Sequence, residues 1–446
     1  MASNTIKNPL LRTVANRSFS AQACAKPVPS ANAEVKTTVL PNKLIVASVE
    51  NNSPISRVSI LFRAGSRYET HDNYGTSHVL RIAAGLGTKC YSQIGITRQI
   101  QQVGANISVT SDRELISYTL ETTRNELENT FDILSNVAMQ QAFKPWEISD
   151  NLSRIKYDLA ALPPVIRSVD LLHKAAFRTA LGNSIFCPKH SIGKISSETL
   201  QHFVRSHYLA NRGAVVGVGV DHDRLLAYAQ NLCIEDGESC DQSSTYKGGE
   251  IRVDTASSSA NVAVAVEGAS LKSTQEALAF AVLQYAVGVG PSVKWGSQNN
   301  TPLGKAVANA AKDDPCAVSA LNASYSDSGL FGFVVSGAPN VAGQAVKAAV
   351  KQLRSGNVSE EDIRRGKAQL KASVLMAVES GAELVNEIGA QAVLLGNVTS
   401  GSNLACVIDQ LKSSDVNAAA KKIASGKLSL AAVGNLTCVP YLDELK

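Results

Sequence analysis

An internal repeat constrains the fold of this 446-residue chain more than any other feature of the sequence. The run VSILF at 58–62 resembles VAVAV at 262–266, an offset of 204 residues. Further along, Ser111-Asp112 matches Ser326-Asp327 at an offset of 215. Two nearly constant offsets indicate one duplication followed by one main insertion. The sequence therefore predicts two similar domains of about 200 residues each, since a chain this long exceeds what one core usually holds.

The expected boundaries follow from composition. We expect an N-terminal domain over residues 36–234 and a C-terminal domain over 250–446. Between them, residues 235–249 are rich in Ser, Gly, Asp and Glu, which is typical of a linker. The insertion falls between residues 283 and 326, where glycines cluster within a predicted loop from Gly288 to Gly304.

Hydrophobic periodicity predicts the same order of elements in both units. In the first, strands are expected over 43–49 and 57–63, then a helix over 75–86, a hairpin of 105–110 with 114–122, and a helix over 146–161. In the second, a hairpin of 318–325 with 330–336 precedes helices over 341–353 and 359–379. Antiparallel strands followed by helices in blocks indicate an α+β fold. We expect two duplicated sandwich domains, each a mostly antiparallel sheet covered by helices on one face.

The N-terminal segment has the composition of a mitochondrial targeting sequence. Its first 33 residues contain Lys7, Arg12, Arg17 and Lys26 but no acidic residue, and they are rich in Ser, Ala and Asn. We expect residues 1–35 to be a targeting segment and disordered linker, with cleavage before Ser20. Cleavage there lowers the formal charge from +5 to +2, because three of those basic residues are removed. A nearly neutral mature chain argues against nucleic-acid binding.

The helix predicted over 75–86 contains an incomplete zinc-peptidase motif. The inverted motif reads His, two variable residues, Glu, His, and its two His lie four residues apart on one helical face. His78 occupies the first position, but Arg81 replaces the Glu and Ile82 replaces the second His. A guanidinium does not act as a general base at neutral pH, and an isoleucine has no lone pair for a metal. The motif therefore predicts a peptidase scaffold without peptidase chemistry.

Longer runs around this motif resemble the pitrilysin family of zinc peptidases, and in particular its mitochondrial members. The resemblance is carried by AGSRYE at 64–69, GTSH at 75–78 and GNL at 434–436. The run NASYSDSGLFGF at 322–333 is far more specific than the motif. Similarity to processing-peptidase subunits and to the core subunits of ubiquinol:cytochrome c reductase extends over essentially the whole chain from about residue 36.

The resemblance implies where a third zinc ligand would have stood. In the active relatives it is a Glu about 76 residues past the second His, and that count from Ile82 reaches Asp158. One His and one Asp are too few for a stable zinc site. We therefore expect no catalytic residue, no metal and no cofactor, with His78, Arg81, Ile82 and Asp158 as remnants. Arg81 and Asp158 are hypothesised to form an ion pair where the cation once lay.

The resemblance also implies a function. It suggests a non-catalytic structural and assembly subunit of respiratory complex III, pairing with core protein 1 at the matrix side of the mitochondrial inner membrane. Cytochrome b, cytochrome c1 and the other subunits of this dimeric complex would be its partners. The sequence agrees, because it contains neither a CxxCH haem motif nor an iron-sulfur cysteine run. Its longest apolar stretch, residues 277–290, is shorter than the 18 or more residues of a membrane-spanning helix.

Two alternatives remain from the sequence. One is the non-catalytic, presequence-binding subunit of a heterodimeric processing peptidase, whose glycine-rich substrate loop would correspond to Gly288 to Gly304. This copy contains Pro291 and Trp295 and is poorer in glycine. The other is a metallopeptidase, which requires the Glu and His that the motif lacks.

Overall fold

The structure is a computed structural model that describes residues 34–238, 241–290, 301–312 and 314–445. The predicted cleavage site before Ser20 and residues 291–300 of the predicted glycine loop lie outside the described residues.

Two mixed sheets form the two halves of the molecule. The first contains β1 (Val35–Val39), β2 (Ile45–Val49), β3 (Ile55–Phe62), β4 (Asn106–Ser111), β5 (Ile116–Thr123) and β6 (Gly213–Val218), in the order β1-β2-β6-β3-β5-β4. The second contains β7 (Glu250–Asp254), β8 (Ala260–Glu267), β9 (Cys316–Ser324), β10 (Gly329–Gly337) and β11 (Ser429–Gly434), in the order β7-β11-β8-β10-β9. Only the β2/β6 and β7/β11 pairs are parallel among the described strands. Five strands thus share one topology, which confirms the duplication.

The first half contains helices α1 (Thr76–Ala83), α2 (Gln93–Gln102), α3 (Leu127–Met139), α4 (Pro145–Asp150), α5 (Leu152–Ala160), α6 (Pro164–Phe177), α7 (Ser197–His207) and α8 (His222–Gln230). The second contains α9 (Thr274–Val287), α10 (Pro302–Ala311), α11 (Pro339–Arg354), α12 (Glu360–Glu379), α13 (Gly381–Leu395), α14 (Gly401–Gln410) and α15 (Ser413–Ser425).

The prediction of a single helix over 146–161 is wrong in one respect, because Asn151 divides this segment into α4 and α5. The backbone amide of Asn151 donates to the carbonyl of Ile148 at 3.2 Å. The side-chain amide of Asn151 instead donates to the Glu147 carbonyl at 2.8 Å. A side chain that competes for the i−4 carbonyl in this way interrupts the regular helical pattern.

Alternation along β3 separates two buried faces of the first sheet. Val58, Ile60 and Phe62 point into a core that residues of α1, α3, α7 and α8 complete. Leu61, which points to the opposite face, is also buried, at 2% exposure. Each face therefore needs a covering layer, and the helices of the first half supply only one.

The second layer comes from the other half, through an exchange of helices. Helix α13 of the second half lies on the first sheet, where a Cβ added to Gly389 would stand 2.6 Å from Leu61 Cδ2. Helix α6 of the first half lies on the second sheet, where Leu172 and Phe177 pack against Ala263 and other small residues. We expected helices on one face of each sheet; instead both faces are covered, and neither half encloses its sheet alone.

None of the described helices combines the length and the apolar character that crossing a bilayer requires.

Candidate functional site

A buried carboxylate organises the start of α1. Gly75 precedes the helix with φ +95°, in the left-handed region. A Cβ there would also lie 2.6 Å from Cys187 Sγ, so only glycine fits. Glu69 accepts hydrogen bonds from the Gly75 amide at 2.8 Å, the Ser77 amide at 2.7 Å and the Ser77 hydroxyl at 2.6 Å. Burial nevertheless raises the pKa of Glu69 to about 7.

His78, in the first turn of α1, is fully buried, with 1% of its surface exposed. The backbone amide of Cys187 donates to its Nδ1 at 3.2 Å. The lone pair of Nδ1 is therefore in use, so the neutral ring carries its proton on Nε2. Burial, reinforced by the charge of Arg81, lowers the pKa of His78 to about 4. A neutral imidazole protonated on Nε2 cannot offer that nitrogen to a metal, even though Nε2 faces the vestigial site.

The other remnant residues converge on the same point. Arg81 Nη2 lies 3.2 Å from Asp158 Oδ2, which confirms the predicted ion pair. His78 Nε2 lies 3.7 Å from the same oxygen, too far for a hydrogen bond. Both members of the Arg81–Asp158 pair keep about a third of their side chains exposed, so the carboxylate is only partly buried. Ile82 is 4% exposed and belongs to the core of the first half.

Arg81 places a guanidinium at the centre of this cluster. Its positive charge faces the Asp158 carboxylate, and Ile82 contributes only packing. Among the described residues, no group of three or more His, Cys, Asp or Glu side chains is placed to hold a metal ion.

A cleft of about 520 Å³ lies over the remnant site. Arg81, Ile82 and Asp158 form part of its wall, together with α2, the C-terminal part of α3 and β4. Asp158 thus lines the same cleft as Arg81 and Ile82.

A second polar cluster joins the two halves, and the sequence did not reveal it. Arg67 Nη1 donates to Glu114 Oε1 at 2.7 Å and to Asp327 Oδ1 at 2.8 Å. Glu114 in turn accepts from the Ser326 amide at 3.1 Å and the Ser326 hydroxyl at 2.5 Å. The backbone amide of Ser244 also donates to Asp327 Oδ2, at 2.7 Å. Both hairpin turns of the duplicated units thus meet around one guanidinium.

A further pair crosses the same interface. The hydroxyl of Tyr325 lies 2.8 Å from His173 Nε2, and the other ring nitrogen of His173 lies 2.8 Å from the carbonyl of Val169. Since a carbonyl accepts, His173 donates from Nδ1 and accepts from Tyr325. Burial lowers the pKa of His173 well below its ordinary value, with the charge of Arg113 contributing. The neutral ring is therefore a structural connector between α6 and the second half.

The fold and the vestigial site define a degenerate zinc-peptidase scaffold, and the chain belongs to peptidase family M16. Residues 45–189 match the family described as "Insulinase (Peptidase family M16)". Residues 194–370 match "Peptidase M16 inactive domain".

Within this family the chain is similar to "Cytochrome b-c1 complex subunit 2, mitochondrial" of Homo sapiens. The two are 41% identical over 96% of this chain and 95% of the relative. Identity to the "Probable mitochondrial-processing peptidase subunit alpha-1, mitochondrial" of Arabidopsis thaliana is 27%, over 92% and 84% of the two chains. Among solved structures, a chain of "Complex III2 from Candida albicans, Inz-5 bound" matches with a TM-score of 0.81 over 92% of this chain and 99% of that one. Its 19% identity makes it a match of fold.

Proposed function

We propose that the chain is a non-catalytic structural and assembly subunit of the mitochondrial cytochrome b-c1 complex, the ubiquinol:cytochrome c reductase of the respiratory chain. Its partners are core protein 1, cytochrome b, cytochrome c1 and the other subunits of that dimeric complex. The likeness to cytochrome b-c1 complex subunit 2 over nearly the full length of both chains carries this proposal.

The vestigial site supports a role without catalysis. Arg81 occupies the position of the general base and forms an ion pair with Asp158. Ile82 occupies the position of the second metal ligand and is buried in the core. His78 is held in the tautomer that points a proton at the former metal position. The chain therefore contributes shape and surface to the assembly.

Its placement is proposed as peripheral, at the matrix side of the inner membrane, after removal of the N-terminal segment before Ser20. The basic, acid-free composition of the first 33 residues supports import, and the proposed partners lie at that membrane. We also propose domains over 36–234 and 250–446 joined by a linker over 235–249. The described part of that linker has no regular secondary structure, and β7 begins at Glu250.

Blue-native electrophoresis of detergent-solubilised mitochondria tests the assembly role. The chain is expected to migrate with cytochrome c1 in one large complex, and its depletion is expected to lower the amount of that complex. Protease treatment of mitoplasts provides the topological control, because a matrix-side subunit stays protected until the inner membrane is opened. Migration only with a free matrix peptidase would contradict the proposal.

A direct assay tests the absence of catalysis. The purified chain, supplied with zinc and a presequence peptide, is expected to leave the peptide intact and to retain no stoichiometric zinc after dialysis. Cleavage that disappears in His78→Ala would instead establish a metallopeptidase.

A further inference from the structure

A second cleft, of about 770 Å³, lies between α3 and α8 and shares no lining residue with the cleft over the remnant site. Residues of α3 line it at intervals of three or four positions, so one face of that helix forms a wall. Phe131 of α3 stacks on Tyr228 of α8, with ring centroids 4.1 Å apart. The volume is in the range of pockets that hold small molecules.

Most of the charged groups on the walls of this cleft already have partners. Arg224 lies 3.4 Å from Glu128 in an exposed ion pair. Asp132 accepts a hydrogen bond from the hydroxyl of Tyr91 at 2.7 Å. Lys89 also lines the cleft and is exposed, but no carboxylate of the described residues lies within salt-bridge distance of its ammonium group. Lys89 is therefore the cation that the cleft offers to a ligand.

Asn136 adds a buried acceptor that lacks a donor. It is 4% exposed and lines the cleft. Its side-chain nitrogen donates to the carbonyl of Asp132 at 2.8 Å and to the carboxylate of Asp132 at 3.1 Å. These bonds fix the orientation of the amide, because a flipped group would place its oxygen against two acceptors. In the described part of the chain, Asn136 Oδ1 accepts no hydrogen bond, which is costly for a buried oxygen.

Cys233 adds a nucleophile to the same wall. It follows the end of α8 by three residues, lines the cleft and is exposed. Its Sγ lies 4.0 Å from the carbonyl oxygen of Asn231, a weak contact that leaves the thiol accessible. An accessible thiol can exchange with a small disulfide.

These three groups together define the chemistry of the ligand. Lys89 requires a carboxylate, Asn136 requires an N–H donor, and Cys233 requires a sulfur that it can attack. Glutathione disulfide carries carboxylates at both ends of each half, peptide N–H groups between them and a disulfide bond. We propose that this cleft binds glutathione disulfide and that Cys233 is a site of S-glutathionylation.

The reaction is a thiol–disulfide exchange. Cys233 loses its proton, and the thiolate attacks one sulfur of glutathione disulfide. The bond between the two glutathione sulfurs breaks as the bond to Cys233 Sγ forms. The leaving glutathione thiolate takes up a proton, so one glutathione is reduced while Cys233 is oxidised to a mixed disulfide. The modification goes beyond the proposed assembly role and stands or falls separately from it.

Mass spectrometry of the full-length chain tests whether the cleft selects this thiol. Cys406 and Cys438 are also exposed but do not line the cleft, so they report ordinary thiol reactivity. The measured quantity is the rate of modification of Cys233 divided by the rate of Cys406 or Cys438. Cystamine, a disulfide with ammonium groups and neither carboxylates nor peptide N–H groups, is the comparison reagent. We expect the ratio to be roughly ten-fold higher with glutathione disulfide than with cystamine.

Two variants test the recognition groups. Lys89→Gln is expected to lower the ratio for glutathione disulfide about three-fold and to leave the ratio for cystamine no lower. The matched control is Lys421→Gln, which removes an exposed lysine of α15 and leaves both ratios unchanged. Asn136→Leu removes the orphaned acceptor and is expected to lower the ratio for glutathione disulfide, with circular dichroism as the check on folding.

Any of three results would overturn the proposal: equal ratios with the two disulfides, equal effects of Lys89→Gln and Lys421→Gln, or no mixed disulfide at Cys233. None of these results would change the expected migration of the chain on native gels.

Discussion

Arg67 and Asp327 lie 260 residues apart in the chain, and the guanidinium of Arg67 donates to both carboxylate oxygens of Asp327. Arg67 is 4% exposed and Asp327 is 16% exposed. Neighbouring charges from Asp327 and Glu114 hold the pKa of Arg67 above its ordinary value although burial opposes this. Because Arg67 also donates to Glu114, it joins the β4–β5 turn of one half to the β9–β10 turn of the other.

Arg67→Ala is expected to destabilise the protein by about 3–5 kcal/mol, because it leaves Glu114 and Asp327 desolvated without a cation. Chemical denaturation followed by circular dichroism measures the change. The matched control is Arg224→Ala, which breaks an exposed pair with Glu128 at 3.4 Å and should cost less than about 1 kcal/mol. Similar losses in the two variants would show that the buried cluster does not hold the halves together.

The Arg81–Asp158 pair is expected to behave as a weaker, partly solvated interaction. Arg81→Ala should cost about 1 kcal/mol or less, because both side chains remain one-third exposed. Arg81→Ala combined with Asp158→Asn should cost less than the single change, since no carboxylate is left without a partner. Thermal denaturation of the two variants provides the comparison, and equal losses would exclude a stabilising pair.

His78 is expected to make stability depend on pH. Its pKa falls from 6.5 to about 4 on folding. Between these values the unfolded chain binds more protons than the folded one, so His78 costs stability as the pH falls from about 6.5 towards 4. Glu69, whose pKa rises to about 7, has the opposite effect on stability over part of this pH range, because there the folded chain binds more protons than the unfolded one.

A difference measurement separates the two groups. Urea unfolding of the wild type and of His78→Gln, at pH 7 and at pH 5, should show a smaller acid-induced loss in the variant. An equal loss in both proteins would mean that the ring titrates normally in the fold.

Phe177 is expected to stabilise the half of the molecule to which it does not belong in sequence. It is 1% exposed and packs edge-on against Tyr246, with ring centroids 6.0 Å apart. Phe177→Ala should cost about 3–5 kcal/mol. Hydrogen exchange should then show faster opening of β8 and β11, in the second sheet. Phe203→Ala removes an equally buried ring from the core of the first half and should loosen that half instead.

The duplicated topology was predictable because alternation along strands such as Ile55–Phe62 and Ala260–Glu267 is a local signal that recurs at the repeat offset. The contact between Arg81 and Asp158 was predictable for a different reason, since the resemblance supplied a spacing along the chain that brings the two residues together. Both predictions depend on order along the sequence.

Other features depend on contacts between distant segments, which a single sequence does not encode in any pattern. The exchange of α6 and α13 is an example, because both helices carry ordinary amphipathic patterns that leave open which sheet they cover. The bond from the Cys187 amide to His78 Nδ1 spans 109 residues and involves only backbone on one side. The capping role of Glu69 had a weak local signal, since an acidic residue shortly before a helix favours its N-terminus.

The helix exchange determines when the polypeptide completes its folding. The surface around Leu61 stays uncovered until residues 381–395 have been synthesised, although every strand of that sheet has been made by residue 218. While more than a third of the chain is still being made, this apolar surface therefore stays exposed to water. Chaperones engage incomplete domains in that state. Truncated products that lack this late segment should be cleared by quality control.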